Sequence, residues 1–260
     1  MGIFSALIHA ANFHTPKRYG WKADANDGRD FLYGAMASRP HILPKSVDLR
    51  PSMPSVYDQG ELGSCTGNAI CGAKQYGEMK DSKDSTELSR LFVYFNERTM
   101  EGTVNQDAGA MTRDGAKSLN TFGVCSALLC PYDISKFTVK PSDAAYADAV
   151  SRKVTSYHRI QTLQEMKQCL AESYPFVFGF TVYEGFESAA VANSGVVNLP
   201  KRSEKVIGGH AVLCVGYDDA SKRVIVRNSW GDSWGQKGYF TMPYDYIANT
   251  QLASDMWTLR

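Results

Sequence analysis

The sequence predicts an α+β protein of two unlike lobes, the first mainly helical and the second mainly built of strands. Three observations carry that expectation. Apolar residues recur at three-to-four spacing in the first half, short β-branched and aromatic runs bounded by Gly, Asp and Pro fill the second, and no repeat or low-complexity tract divides the chain. A length of 260 residues is ample for a core and falls between one and two ordinary domains.

Taken in order, residues 1–43 show no sustained periodicity, are rich in Gly, Asp, Asn and Pro from Tyr19 onward, and read as an extension. Pro40, Pro44, Pro51 and Pro54 then keep the chain extended, because proline and the residue before it both disfavour helix. Helices are expected over 66–79, where Ala69, Ile70, Ala73 and Tyr76 share a face, over 89–100 and over 115–122. From about Lys153 the pattern changes. Strands are expected over 176–183, 210–217, 223–228 and 238–242. The interface between two such lobes is a usual place for a cleft.

Composition excludes several functions. Twenty-eight basic against 27 acidic residues leave a net charge of +1, too small to hold a phosphate backbone or an anionic bilayer, so neither nucleic acid nor membrane is an expected partner. No apolar run reaches the roughly 18 residues of a membrane span. Six cysteines are too sparse for a disulfide scaffold, and none are spaced as CxxC. The histidines do not cluster with thiols or carboxylates, so no metal and no other cofactor is expected. Residues 3–11 are mildly apolar but lack a preceding basic residue, and no Asn-x-Ser/Thr sequon occurs, so the compartment stays open between secreted and cytoplasmic.

Chemistry concentrates in three segments. In Gln59-Gly60-Glu61-Leu62-Gly63-Ser64-Cys65-Thr66 a glycine-rich turn delivers a cysteine to the first turn of a helix. The partial positive charge and free N–H groups there favour thiolate, so Cys65 is expected to be an activated nucleophile. Gly63 would let a substrate backbone approach, and Gln59 can offer a side-chain N–H, beside the Cys65 backbone N–H, to a developing oxyanion. A buried, inert cysteine gives the same pattern, since free cysteine is among the most buried residue types. In Gly208-Gly209-His210-Ala211 a histidine opens a strand, whereas His9, His14, His41 and His158 lie in unpatterned surroundings. Alone, such a histidine is ordinarily a satisfied core residue. Its company is Asn228-Ser229-Trp230-Gly231-Asp232-Ser233-Trp234-Gly235, where the Asn228 amide can fix an imidazole and Trp230 can shield the bond from water.

Together and in this order, the segments resemble the papain family of cysteine peptidases, whose pattern Q-x-x-x-x-S-C, G-H-A and N-S-W-G-x-x-W-G they match. The 145 residues from Cys65 to His210 fit the family's spacing of about 130 to 150, and the 163 to Asn228 run slightly beyond it. The resemblance extends from about Leu43 to the C-terminus, where Pro44-Lys45-Ser46-Val47-Asp48-Leu49-Arg50 looks like a mature start. It implies a papain-like two-lobe fold over 44–260, with a helical lobe over about 55–150, a β-barrel-like lobe over about 151–250 and the active-site cleft between them. Residues 1–43 would then be a pro-region. At about 43 residues it is too short for an independent helical cap, so it is expected to lie as an extended strap in or over the cleft, anchored by Trp21, Phe31, Leu32 and Tyr33 and restraining activity as in a zymogen.

Residue by residue, the resemblance implies Cys65 as nucleophile, His210 as general base and then acid, Asn228 as imidazole orienter, Gln59 as oxyanion donor and Trp230 as the lid over the Asn228 bond, counted with Gly63 and Gly109 among the substrate-binding residues. Asp107-Ala108-Gly109-Ala110 sits where the family carries a Gly-Gly segment whose backbone pairs with the substrate residue two before the scissile bond; only Gly109 matches. The wording Tyr19-Gly20-Trp21 and Ser89-Arg90-Leu91-Phe92-Val93-Tyr94 looks like bacterial members. Leu62 replaces a usual disulfide cysteine, Thr66 the usual tryptophan and Gly209 an aspartate, which removes the disulfide framework but no triad atom. The implied activity is an endopeptidase that cleaves peptide or protein substrates through an acyl-enzyme thioester. A papain-fold acyltransferase or isopeptidase would use the same triad, and a catalytically dead binding module would usually have lost Cys65 or His210.

Overall fold

The structure, a computed structural model, describes residues 19–35, 42–82 and 84–260. Residues 1–18 and 36–41 of the expected extension lie outside the described residues, as do His9, His14 and His41.

Two short strands, β1 (Trp21–Lys22) and β2 (Ser46–Asp48), precede four helices and one further short strand: α1 (Cys65–Asp81), α2 (Arg90–Met100), β3 (Ala110–Met111), α3 (Thr112–Thr121) and α4 (Asp143–Ala149). The second half is sheet-rich, with β4 (Tyr157–Ile160), α5 (Leu163–Ala171), β5 (Phe176–Tyr183), α6 (Ala189–Ser194) and β6 (Val206–Asp218). It closes with β7 (Arg223–Arg227), β8 (Tyr239–Pro243), α7 (Tyr244–Ile247) and β9 (Ala253–Leu259). This is the α+β, two-lobe arrangement expected. Local chemistry sets the helix starts: the Ser89 hydroxyl accepts from the Phe92 N–H to cap α2, and Thr162 and Glu165 form a reciprocal capping box on α5.

Strands run in the order β4-β9-β5-β6-β7-β8, each neighbour antiparallel, with β2 continuing the line of β5 along the edge of β6. Side chains alternate across this sheet. Phe176, Phe178, Phe180, Val212 and Cys214 face one core together with Trp234 and Phe240. Val177, Leu213 and Val215 face the other, where they meet Ile70, Cys71 and Ala73 of α1 and Trp257 of β9. Both faces are covered, which explains why β5 and β6 read as continuous apolar runs and not as alternating ones. Helix α1, first in the helical half, is thus bedded on the sheet of the second.

The described part of the extension is a strap. β1 pairs in parallel with β3, Trp21 opposite Ala110, and the chain continues to a bridge between Leu32 and Arg159. Tyr33 is buried as expected, but Phe31 and Leu32 are 66% and 40% exposed, so they do not anchor the strap by burial. Charge does. Arg159 donates to Asp24 (2.7 Å), Asp30 (2.8 Å) and Asp255 (3.1 Å), Arg113 donates to Asp30 (2.7 Å), and the Trp257 indole N–H donates to Asp24 (2.8 Å). The Asp24 side chain is fully buried in this cluster.

Losing Asp24 leaves Arg159 with Asp30 and Asp255 but strips the buried Trp257 indole N–H of its acceptor, at a cost of about 1–3 kcal/mol. Asp24→Ala is therefore expected to loosen the strap while the sheet stays intact, read as faster amide exchange over 20–32 with β5 and β6 still protected. Unchanged exchange in the strap would show that the charges do not hold it.

Candidate active site

The N-terminus of α1 points at the middle of β6. Cys65 is the first residue of the helix, and its sulfur receives the Ala211 N–H at 3.4 Å, which brings it beside His210. Across the strand pair, His210 Nε2 lies 2.8 Å from Asn228 Oδ1, just past the end of β7. The Asn228 oxygen also accepts from the Ser229 N–H at 2.9 Å, so the amide is fixed before it meets the ring. His210 Nδ1 is buried and has no hydrogen-bond partner. Trp230 stacks on the imidazole with ring centres 5.2 Å apart and planes at 28°, so it covers His210 itself, and both rings are buried.

Gln59 is held from two sides. Its side-chain N–H donates to the Leu62 carbonyl (2.9 Å), and its side-chain oxygen accepts from Ser229 Oγ (2.6 Å). The Gln59 N–H also donates to the Ser229 carbonyl and the Gly231 N–H to the Tyr57 carbonyl, both at 2.9 Å, so the loop before Cys65 is stitched to the loop carrying Asn228. Ser229 thereby serves both loops. In sequence only its place beside Asn228 marks it.

Gly63 and Gly109 face each other across the strap. A Cβ on Gly109 would lie 2.1 Å from the Gly20 carbonyl oxygen, and one on Gly20 would lie 1.7 Å from the Gly63 carbonyl oxygen. Gly109 also takes a φ of +69°, which favours glycine. The Gly20 carbonyl accepts from the Ala110 N–H at 2.7 Å. Tyr19 sits edge-on to His210, ring centres 5.8 Å apart, and donates to Glu187, while Lys22 pairs with Glu101 at 2.9 Å.

Burial works against the expected activation of the thiol. Cys65 and His210 are both fully buried beneath the strap. Burial pushes the Cys65 thiol up to about 11, against hydrogen bonds from Ala211 and Gly20 that lower it. It pushes His210 down to about 4, against the Asn228 bond that raises it. The helix end does favour a thiolate, but desolvation opposes the charged form of both groups with the strap in place. Glu97 of α2, which no sequence signal marks, is also fully buried; burial raises its carboxyl to about 8, and it accepts from the Thr66 hydroxyl at 2.7 Å. All six cysteines are free.

Residues 43–258 match the family described as papain family cysteine protease, which is most of the chain. The chain belongs to the papain family of cysteine proteases. Among papain-family relatives it is 44% identical, over 85% of its own length and 76% of the other's, to the "Uncharacterized peptidase C1-like protein L477" of Acanthamoeba polyphaga mimivirus. Against Cathepsin L of Sarcophaga peregrina it is 27% identical over 82% of its length, but spans 63% of that protein. The crystal structure of xylellain, a cysteine protease from Xylella fastidiosa, superposes with a TM-score of 0.85 at 42% identity, covering 95% of this chain and 98% of that one. Among the described residues, no helix is long and apolar enough to cross a membrane.

A thiol held at about 11 is ionised to roughly one part in a thousand at pH 8. Iodoacetamide alkylation of Cys65 in the full chain, followed by peptide mapping, is therefore expected to be slow at pH 7 and to rise about tenfold per pH unit between 8 and 10. Fast alkylation that is flat from pH 5 to 8 would instead reveal a preformed ion pair.

Proposed function

We propose that this papain-family chain is a cysteine endopeptidase restrained by its own N-terminal segment. The observation that carries the reading is the meeting of Cys65, His210 and Asn228, with the Ala211 N–H 3.4 Å from the sulfur and His210 Nε2 2.8 Å from the Asn228 oxygen. Once water enters the cleft, both pKa shifts shrink and a proton can pass from Cys65 to His210. The thiolate then attacks a peptide carbonyl, and the oxyanion forms beside the Cys65 backbone N–H and the Gln59 amide. His210 protonates the leaving amine, the acyl group remains on sulfur as a thioester, and water activated by His210 releases it. Asn228 keeps the imidazole in place through both halves of the cycle. Gly63 and Gly109 would flank the substrate backbone as they flank Gly20, and Trp230 would keep water from the His210 face.

The strap supports the restraint by position and by charge state. Tyr19 to Lys22 lie beside the thiol, and the burial they add pushes the Cys65 pKa up and the His210 pKa down. A tethered segment needs only weak contacts to compete with substrate, because its effective concentration is high. We read residues 1–43 as this restraint and 44–260 as the peptidase domain. Peptides and proteins are the proposed partners.

Gly20→Val separates these claims, since its Cβ would collide with the Gly63 backbone and the strap could not seat. In the full chain this change is expected to raise peptide hydrolysis at least about tenfold. Adding Cys65→Ala should then remove more than about 99.9% of it, and Asn228→Ala less. No gain from Gly20→Val would overturn the restraint, and activity surviving Cys65→Ala would overturn the nucleophile.

A further inference from the structure

The six free cysteines do not share one environment. A turn brings Cys125 and Cys130 together: the Leu129 and Cys130 N–H groups both donate to the Ser126 carbonyl, at 3.1 and 3.4 Å, and fold the chain back on itself. Ser89, the cap of α2, pins both ends of that turn. Its N–H donates to the Cys125 carbonyl at 2.9 Å and its hydroxyl to the Cys130 carbonyl at 2.6 Å. The Ala127 N–H on the Glu87 carbonyl and the Ser126 N–H on the Asp148 carboxylate, both at 2.8 Å, hold the backbone from other sides. Fixed in this way, the two thiols lie within hydrogen-bonding reach of each other. Cys125 is fully buried among Phe92, Ala145 and Ala149, whereas Cys130 packs on their edge and is half-buried.

We propose that Cys125 and Cys130 form a reversible dithiol–disulfide site, oxidised by a peroxide and separate from the Cys65 centre. The two cysteines divide the work. Cys125, donating to the other sulfur, holds the Cys130 thiol well below its usual range, while the same bond and burial push Cys125 up. The thiol that solvent reaches is thus the nucleophile. Its thiolate attacks one peroxide oxygen, the O–O bond breaks, and the departing hydroxide becomes water with the proton that Cys130 gave up, leaving a sulfenic acid. The Cys125 sulfur then attacks Cys130, the S–S bond forms as the S–O bond breaks, and hydroxide leaves with the Cys125 proton as a second water. The thiols lose two electrons, and hydrogen peroxide is reduced to two waters. The approach to an S–S bond of about 2.05 Å can come from Cys130 and the turn before it, whose tip, Leu128, is exposed. The product would fasten the stretch that carries Tyr132, whose hydroxyl contacts Ser64 Oγ at 2.5 Å and donates to the Gln59 carbonyl at 2.9 Å. Cys65, fully buried with its thiol raised, is by contrast slow to oxidise in the same chain.

The test treats the reduced full chain with hydrogen peroxide, blocks the remaining thiols with N-ethylmaleimide and maps the tryptic peptide 118–136, whose cysteines are Cys125 and Cys130. That peptide is expected to lose two hydrogens without taking up maleimide, to regain them in dithiothreitol, and to react at least about tenfold faster than Cys65. Amide exchange over 126–132 should slow in the oxidised chain. In Cys125→Ser, Cys130 is expected to stop at the sulfenic acid and be trapped by dimedone; in Cys130→Ser, Cys125 should stay a thiol. A peptide that keeps both thiols while other cysteines oxidise, equal rates at all six, or a disulfide to another partner would overturn the proposal. Unchanged exchange in the disulfide-bonded chain would overturn the fastening of Tyr132. The peroxide experiment uses the unaltered chain, so it decides the matter even where a serine variant fails to fold.

Discussion

Everything in this molecule depends on a helix end meeting the middle of a strand. The Ala211 N–H reaches the Cys65 sulfur only because α1, although it opens the helical half, is bedded along its flank on Val177, Leu213, Val215 and Trp257. The bedding is tight: a Cβ on Gly72 would touch Arg227 and Leu213 at 3.4 Å. Arg227 in turn donates to the Pro54 and Ser55 carbonyls, and Ser229 donates to Gln59, so the strand that leads to Asn228 also fixes the loop that leads to Cys65. Three side chains from distant parts of the sequence are aligned by one packed seam.

That geometry brings a conflict between two fields. A helix terminus is worth at most about 2 kcal/mol to a nearby anion, and it acts within a single turn. Complete burial shifts an ionisable group by several pKa units in the opposite sense. Under the strap the second effect is larger, and the helix end can act on the thiol only after water returns. Glu97, buried behind Thr66, adds to the same side, since its negative form would repel a thiolate.

Much of this was legible in the sequence. Segments that bury themselves on both faces, such as 176–183, declare themselves as apolar runs, and α2 carries its own Ser89 cap. Elements whose order comes from a partner do not. β1 and β3 have two residues each and exist through one another, while β4 mixes His158 and Arg159 with apolar residues because it serves the charge cluster. Helix α5 did carry a signal, Thr162 and Glu165 ahead of Met166 and Leu170, that the strand pattern around it obscured. At the site, the spacing of Cys65, His210, Asn228 and Gln59 was readable because each lies in a glycine- or tryptophan-marked segment. The depth of burial of the pair was not, since it depends on residues of the strap such as Tyr19 that lie far from it in sequence. Aromatic residues were the natural guess for holding the strap. Asp24 and Asp30 hold it together with Trp21 and the buried Tyr33, and a lone Asp in a loop looks like any solvated residue.

The carboxylate cluster and the buried imidazole respond to acid in opposite directions. The Asp24 carboxyl is pushed up to about 6, first by burial and then by Asp255, so the docked strap binds this proton more tightly than the free one. Its contribution to docking is complete below about pH 4 and is lost as pH rises through 6. His210 is pushed down to about 4, so its contribution is complete above about pH 6.5 and is lost as pH falls through 4. Over the range between, acid tightens one end of the segment while it loosens the other. No single direction of pH change strengthens both contacts at once.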